Sequence, residues 1–408
     1  MTDARPVTLR RRLGLTLLVL YGTGITIGAG IYVLIGAVAG HAGMYAPWSF
    51  LLAAVVMAFT VASYGELAVR YPASAAEAAY VRAAFRSRLM STLTGSVTIV
   101  IGVVSSAAVA LGSAGYIQEF VDLPRELIVV AVLVILGAVA VWGILESVLL
   151  ASLFTLLEIG GLLIIIAAAT YVELPVGDTL KQLPPLDAGI WAGIAFASLL
   201  AFFAFIGFED LANIAEEAHA PERDLPRAMV LTLLIATVLY VAVAAIAVTA
   251  VPPARLAGSA APLGLVFREL AGVNPAAVVS IAIFATLNTI LAQLTMAARV
   301  VYGMAKQGDL PLHLSRVHPL TATPVIATAL IVGATLILAL AFPLERLAEW
   351  TSLATLLVFA MVNLALLRLR LRSAPEPAPP PQRFRVPLWV PAAGLLTCLA
   401  MIASALLR

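Results

Sequence analysis

The sequence predicts an all-α polytopic membrane protein: eleven spanning helices, arranged as two inverted groups of five with one more helix at the C-terminal end. Three observations carry this. The 408 residues are 62% hydrophobic and 11% charged, with a mean hydropathy of +1.06, and a water-soluble protein of this length would have to expose too much of that apolar content. Eleven apolar runs are long enough to cross a bilayer. Two of them, the first and the sixth, are interrupted by sequence that makes poor helix.

The runs fall at about 14–39, 47–69, 91–117, 126–144, 148–172, 189–216, 227–251, 275–303, 324–342, 350–368 and 388–407. Pro47, Pro72, Pro124, Pro226, Pro275, Pro324 and Pro391 punctuate their ends. The fourth and fifth runs nearly touch, which predicts a tight hairpin at Gly143 to Ser147. Ala374 to Gln382 reads as a proline-rich exposed loop. Residues 1–408 form one transmembrane domain: a first repeat at about 13–172, a second at about 189–370, and the extra helix at about 388–407. With the N-terminus in the cytoplasm, 18 of the 24 Lys and Arg residues fall inside and 6 outside. An odd number of spans then puts the C-terminus outside. Arg10 to Arg12 precede a run too long for a cleavable signal, which has no small-residue cleavage site at its end.

The first run contains Gly22 to Gly36, GTGITIGAGIYVLIG. Each helix-interior glycine costs about 1 kcal/mol relative to alanine, so a break is expected near Ile25 to Ile27. An opened turn cannot face lipid and must line a protein cavity. The amides of Gly28, Ala29 and Gly30 would start the second half-helix and form an anion site. Carbonyls near Gly24 and Ile25, with Thr26 beside them, would end the first half. The other reading is a continuous glycine-rich helix packed closely on its neighbours.

The sixth run carries the matching interruption. Phe202 to Phe208 reads FFAFIGF, followed at once by Glu209 and Asp210, well before the helix should leave the bilayer. A break is expected near Phe205 to Gly207, with free carbonyls near Ala204 and Phe205 and with Ile206 in the opened turn. The alternative is a buried aromatic helix that ends early. Corresponding broken helices in two inverted halves point to a midplane binding site of a secondary transporter. Opposed half-helix ends suit a zwitterion, with amides for a carboxylate and carbonyls for an ammonium. Phe202, Phe205 and Phe208 would cover it as an aromatic gate, or else are core. Ser105 to Ala108 of the third run offer a small, uncharged wall.

These stretches resemble a known family. GTGITIGAGIY looks like the first-helix signature of the amino acid–polyamine–organocation permeases, and FFAFIGFED with EEAHAPERDLPRA like their sixth helix and following loop. NTILAQLTMAARVVYGMAKQGDLP resembles the eighth helix, and YGELAVRYPASAAEAAYVRAAF the loop after the second. The resemblance runs from about Arg12 to the end of the eleventh run. It implies a LeuT-like fold of two inverted five-helix repeats and a role in amino acid transport. Most relatives carry twelve helices, where this sequence gives eleven.

Glu158 is the one charge between Ser147 and Thr170, roughly 16 Å along the helix at ~1.5 Å per residue. A midplane carboxylate is costly and is a functional candidate by default. The resemblance implies that proton-coupled members often hold a lysine here, against the unwound first helix; this sequence has glutamate instead. Glu158 is therefore the candidate proton-coupling group, a cation ligand, or a neutral structural Glu. Glu209 is the second candidate, or a helix cap. Glu66, Arg70, Glu216, Glu217, Glu222, Arg223 and Asp224 read as gate salt bridges or solvated charge. No HExxH, CxxC, Walker-type loop or G-x-S-x-G elbow occurs, so neither an enzyme nor a metal or cofactor site is expected. No basic patch with interleaved aromatics occurs, so no nucleic acid partner is expected. The expected partners are an amino acid, protons and the lipid of the cytoplasmic membrane. Proton-coupled import leads, ahead of amino acid or polyamine exchange, and a non-transporting sensor comes third.

Overall fold

The computed structural model describes residues 13–71, 76–142, 148–215, 218–319, 321, 323–372 and 384–407. The hairpin at Gly143 to Ser147, the loop Ala374 to Gln382, and Glu216 and Glu217 lie outside these. Each apolar run lies on helix. The first run is split into α1 (Leu15–Ile27) and α2 (Gly30–Ala42), followed by α3 (Ala46–Arg70), the short α4 (Ala76–Phe85), α5 (Arg88–Ile117), α6 (Arg125–Trp142) and α7 (Val148–Tyr171). After α8 (Val176–Lys181), the sixth run is split into α9 (Ala188–Ala204) and the single turn α10 (Asp210–Asn213). Then come α11 (Pro221–Ala250), α12 (Pro253–Ala257), α13 (Pro262–Ala271), α14 (Ala276–Lys306), α15 (Val325–Ala341), α16 (Leu344–Leu371) and α17 (Trp389–Leu406).

Local chemistry sets several of these ends. Ser87 caps α5, its hydroxyl accepting from the Met90 N–H at 3.4 Å, and Asp187 caps α9, accepting from Ile190 at 2.9 Å. Helix α11 starts at Pro221, not after Pro226 as the sequence reading had it. Proline at the first turn needs no amide there, and Pro226 sits near enough to the start for the helix to continue through it.

The helices sort into two packed groups. Helix α2 packs on α9, α1 and α3 on α11, and α3 on α9; α5 packs on α14 and α15, and α6 on α15. Four apolar runs thus each meet the run five later. Helix α7 bridges the groups, touching both α1 and α14. Between apolar helices in lipid, association rests on close packing and internal polar contacts. Gly102 of α5 illustrates the first: a Cβ there would come 2.9 Å from the Ala297 side chain of α14. Asn363 of α16 illustrates the second. Its side-chain amide donates to Thr60 Oγ1 at 2.9 Å and accepts from the Ser63 hydroxyl at 2.7 Å, both on α3. Gly394 of α17 lies directly against Asn363, so the extra helix docks on that polar knot.

At the arginine-rich end, Glu66 is wholly buried. Its carboxylate meets Arg70 Nη2 at 2.5 Å and Arg370 Nη2 of α16 at 2.9 Å. It also accepts from the Val386 N–H at 2.9 Å, and Arg370 donates to the Val386 carbonyl. The sequence reading had Glu66 and Arg70; their partners 300 residues on carry no local signal. The segment leading into α17 is thereby fixed to α3 and α16. Arg223 and Asp224 lie 3.7 Å apart at the start of α11, the former largely exposed.

Candidate functional site

The first break is at Gly28 and Ala29, later than the expected Ile25 to Ile27. The Gly28 N–H still closes on Gly24 O at 3.0 Å, which keeps residues 25 to 27 helical. The next amide leaves the ladder: Ala29 N–H donates to Thr289 Oγ1 of α14 at 3.1 Å. That hydroxyl donates in turn to Ala285 O at 2.9 Å. Two of the three amides expected to hold an anion, Gly28 and Ala29, are therefore engaged. Gly30, Ile31 and Tyr32 form the first turn of α2, whose N–H groups have no intrahelical acceptor.

The second break runs from Phe205 to Glu209, beginning where expected and extending two residues further. Gly207 has φ +129°, a region that side-chain-bearing residues rarely adopt. A Cβ on it would also come 2.6 Å from the Ile25 side chain, so the two breaks touch here. The Gly207 N–H donates to Glu209 Oε2 at 2.8 Å. Glu209 is thus the cap that satisfies the opened turn. Gly30 meets the same break from the other side, where a Cβ would fall 2.4 Å from Ala204 Cα.

One side chain joins the two carbonyl ends. Tyr240 of α11, fully buried, directs its hydroxyl to Thr26 O at 2.7 Å and Ala204 O at 2.8 Å. The Ala204 carbonyl expected for an ammonium is therefore shared with a tyrosine, and Gly24 O is held by Gly28. Ile25 O loses its Ala29 donor to Thr289, and Ile25 lines the gap between the breaks.

That gap is a cavity of about 20 Å³, room for about one water and far too small for an amino acid. The site is closed in this structure. Ile25, Thr26, Ala29 and Gly30 of the first break line it with Phe203 and Ile206 of the second; Ser105 of α5 and Thr289 and Gln293 of α14 complete the lining. A wider surface hollow of about 550 Å³ near His41, Gln182 and Asp187 touches neither break, so it is not the site.

The three phenylalanines of the expected aromatic gate do not border the closed cavity. Phe202, Phe205 and Phe208 are fully buried core and line no part of this cavity. Their ring centroids lie 5.9 Å from Phe359, 5.0 Å from Tyr240 and 5.4 Å from Tyr64. Phe203 and Ile206, three residues apart on the other face, border the cavity instead.

Glu158 is buried on α7. Its backbone carbonyl accepts from the Tyr32 hydroxyl at 2.6 Å, and its carboxyl lies within electrostatic reach of the Tyr32 and Tyr240 hydroxyls. One turn earlier, Thr155 donates to Leu20 O at 3.1 Å, and its hydroxyl occupies the space where a Cβ on Gly24 would stand. Sequence reasoning missed Thr155, Tyr240, Thr289 and Gln293. Tyr240 left a signal, the lone aromatic ring in the run LIATVLYVAVAAIAV. So did Thr289 and Gln293, polar residues four apart on one helix face.

At the arginine-rich end, the Tyr64 hydroxyl donates to Glu77 Oε1 of α4 at 3.2 Å. Asn213 donates to Asp210 at 3.4 Å and accepts from the Ala76 N–H at 3.1 Å. Burial, aided by the Asp210 carboxylate, pushes Glu77 up to about 7 against its own backbone hydrogen bond and the Tyr64 hydroxyl. Among the described residues, no cluster of three or more His, Cys, Asp and Glu side chains could hold a metal ion.

Comparison with known proteins agrees with this architecture. A family model described as "Amino acid permease" matches residues 13–407. The chain is similar to the branched-chain amino acid permease BcaP of Bacillus subtilis, 32% identical over 427 residues that cover 97% of this chain and 88% of the relative. An uncharacterised transporter of Mycobacterium tuberculosis is 32% identical over 97% of this chain and 86% of its own length. The vacuolar cationic amino acid transporter 4 of Arabidopsis thaliana is 30% identical over 89% of this chain and 64% of its own length. With its all-helical membrane architecture and a family match over nearly its whole described length, the chain belongs to the amino acid permease family, as a multi-pass membrane transporter.

Proposed function

We propose that the protein imports neutral amino acids across the cytoplasmic membrane, coupled to protons, by alternating access. The observation that carries this is the convergence of two broken helices on one cavity, their carbonyl ends bridged by Tyr240. The pairing of four runs with the run five later supports two inverted repeats that rock about that cavity. In this reading the arginine-rich face is cytoplasmic. The substrate carboxylate takes the open amides of Gly30, Ile31 and Tyr32. The ammonium takes Ile25 O and competes with Tyr240 for Thr26 O and Ala204 O. No acidic side chain lines the cavity, so a cationic side chain would be buried without a partner, at high cost.

Glu158 supplies the coupling. Its charge acts on Tyr240, the hydroxyl that ties both breaks, so gain or loss of its proton alters the link between them. Glu209 has a local task as the cap of Gly207 and is the weaker candidate. The test is Glu158→Gln in liposomes. Counterflow should persist while concentrative uptake under a pH gradient falls to background. Full gradient-driven uptake would remove Glu158 from coupling; wild-type uptake only with internal substrate would make the protein an exchanger.

A further inference from the structure

The α5 and α14 residues that line the cavity have chemistry that the relatives' names do not suggest. Backbone groups at the breaks suit the two charged ends common to all amino acids. The lining left for the substrate's variable side chain then includes Ser105 of α5 and Thr289 and Gln293 of α14. There Gln293 borders the cavity, and its Oε1 is buried with no hydrogen-bond partner. Ser105, also in that lining, is buried and uncharged. No carboxylate stands among the lining residues.

Resting on the permease reading of this site, we infer that Gln293 selects neutral amino acids whose side chain donates a hydrogen bond: serine, threonine, asparagine or glutamine. An aliphatic side chain would close the site over an acceptor that neither water nor protein satisfies. That omission weakens binding roughly tenfold or more. A polar site rejects the analogue lacking its partner far more strongly than an apolar pocket rejects an extra group. Lysine and arginine would satisfy Oε1 but leave a buried charge without a counter-ion.

The experiment is a thermal-shift and counterflow series on the full chain with serine, threonine, asparagine, glutamine, leucine, isoleucine, valine, lysine and arginine. The hydroxyl and amide amino acids should stabilise most and compete best. Gln293→Leu should weaken threonine and glutamine about tenfold and strengthen leucine. Gln293→Glu should admit lysine or arginine, and it decides the matter if the leucine variant does not fold. A wild-type preference for leucine, isoleucine and valine, or for lysine and arginine, overturns the inference. So does a folded Gln293→Leu with an unchanged ranking, or a folded Gln293→Glu that still excludes lysine and arginine. Binding of none of the nine would instead defeat the permease reading of the cavity.

Discussion

Tyr240 has one hydroxyl proton and two carbonyl acceptors within 2.8 Å. Removing the hydroxyl leaves Thr26 O and Ala204 O buried without a donor, at roughly 1–3 kcal/mol for each group left unsatisfied. Tyr240→Phe should therefore melt several degrees lower and lose hydrogen-exchange protection at residues 24–30 and 203–209. Unchanged protection there would mean the bridge contributes nothing. Glycine variants, which the sequence alone recommends as a test of the anion site, are poorly suited to it. A side chain on Gly30 would strike the Ala204 backbone, so its loss of binding would report packing and not substrate contact. Thr289→Val is the cleaner probe, since it keeps the shape and removes one hydroxyl, which accepts from the Ala29 N–H and donates to Ala285 O.

At the scale of helices, the run lengths were legible because bilayer thickness imposes them, and every run of the sequence lies on helix. The existence of both breaks was legible too, because clustered glycines in one run and early charges in its counterpart coincide at corresponding places of the two halves. Their positions were not. Which amide leaves the ladder depends on Thr289, some 260 residues away. The lining of the closed cavity was hidden for a related reason: a run of phenylalanines does not say which of them meet Phe359 and Tyr240, and Phe203 is the one that borders the cavity. The same dependence on distant partners governs Glu66, which serves Arg70, Arg370 and Val386 together. Breaking a buried pair on one side costs about 3–5 kcal/mol. Arg370→Leu should lower the melting temperature markedly and free residues 384–407 to exchange. Adding Glu66→Gln should recover part of the loss; a double variant no better than the single would refute the pairing.

For the molecule as a whole, Glu77 gives stability a pH dependence of known sign. Its folded value of about 7 lies above the ordinary 4.5 of a glutamate, so the folded state holds the proton more tightly. Its contribution is fully present below about 4.5, declines as pH rises towards 7, and is gone above that. Melting temperature should fall from pH 5 to pH 8, and Glu77→Gln should make that fall smaller by a few degrees. An equal fall in both proteins would remove Glu77 as its source. The Glu66 knot has a different consequence, which concerns time. Its carboxylate is made on α3, but Arg370 and Val386 follow 304 and 320 residues later. At roughly 5–20 residues per second of synthesis, those partners leave the ribosome some 15–65 s after it. A chain still being translated therefore carries that carboxylate into the bilayer with Arg70 as its only cation from the finished knot, and it completes the cluster with almost its last residues.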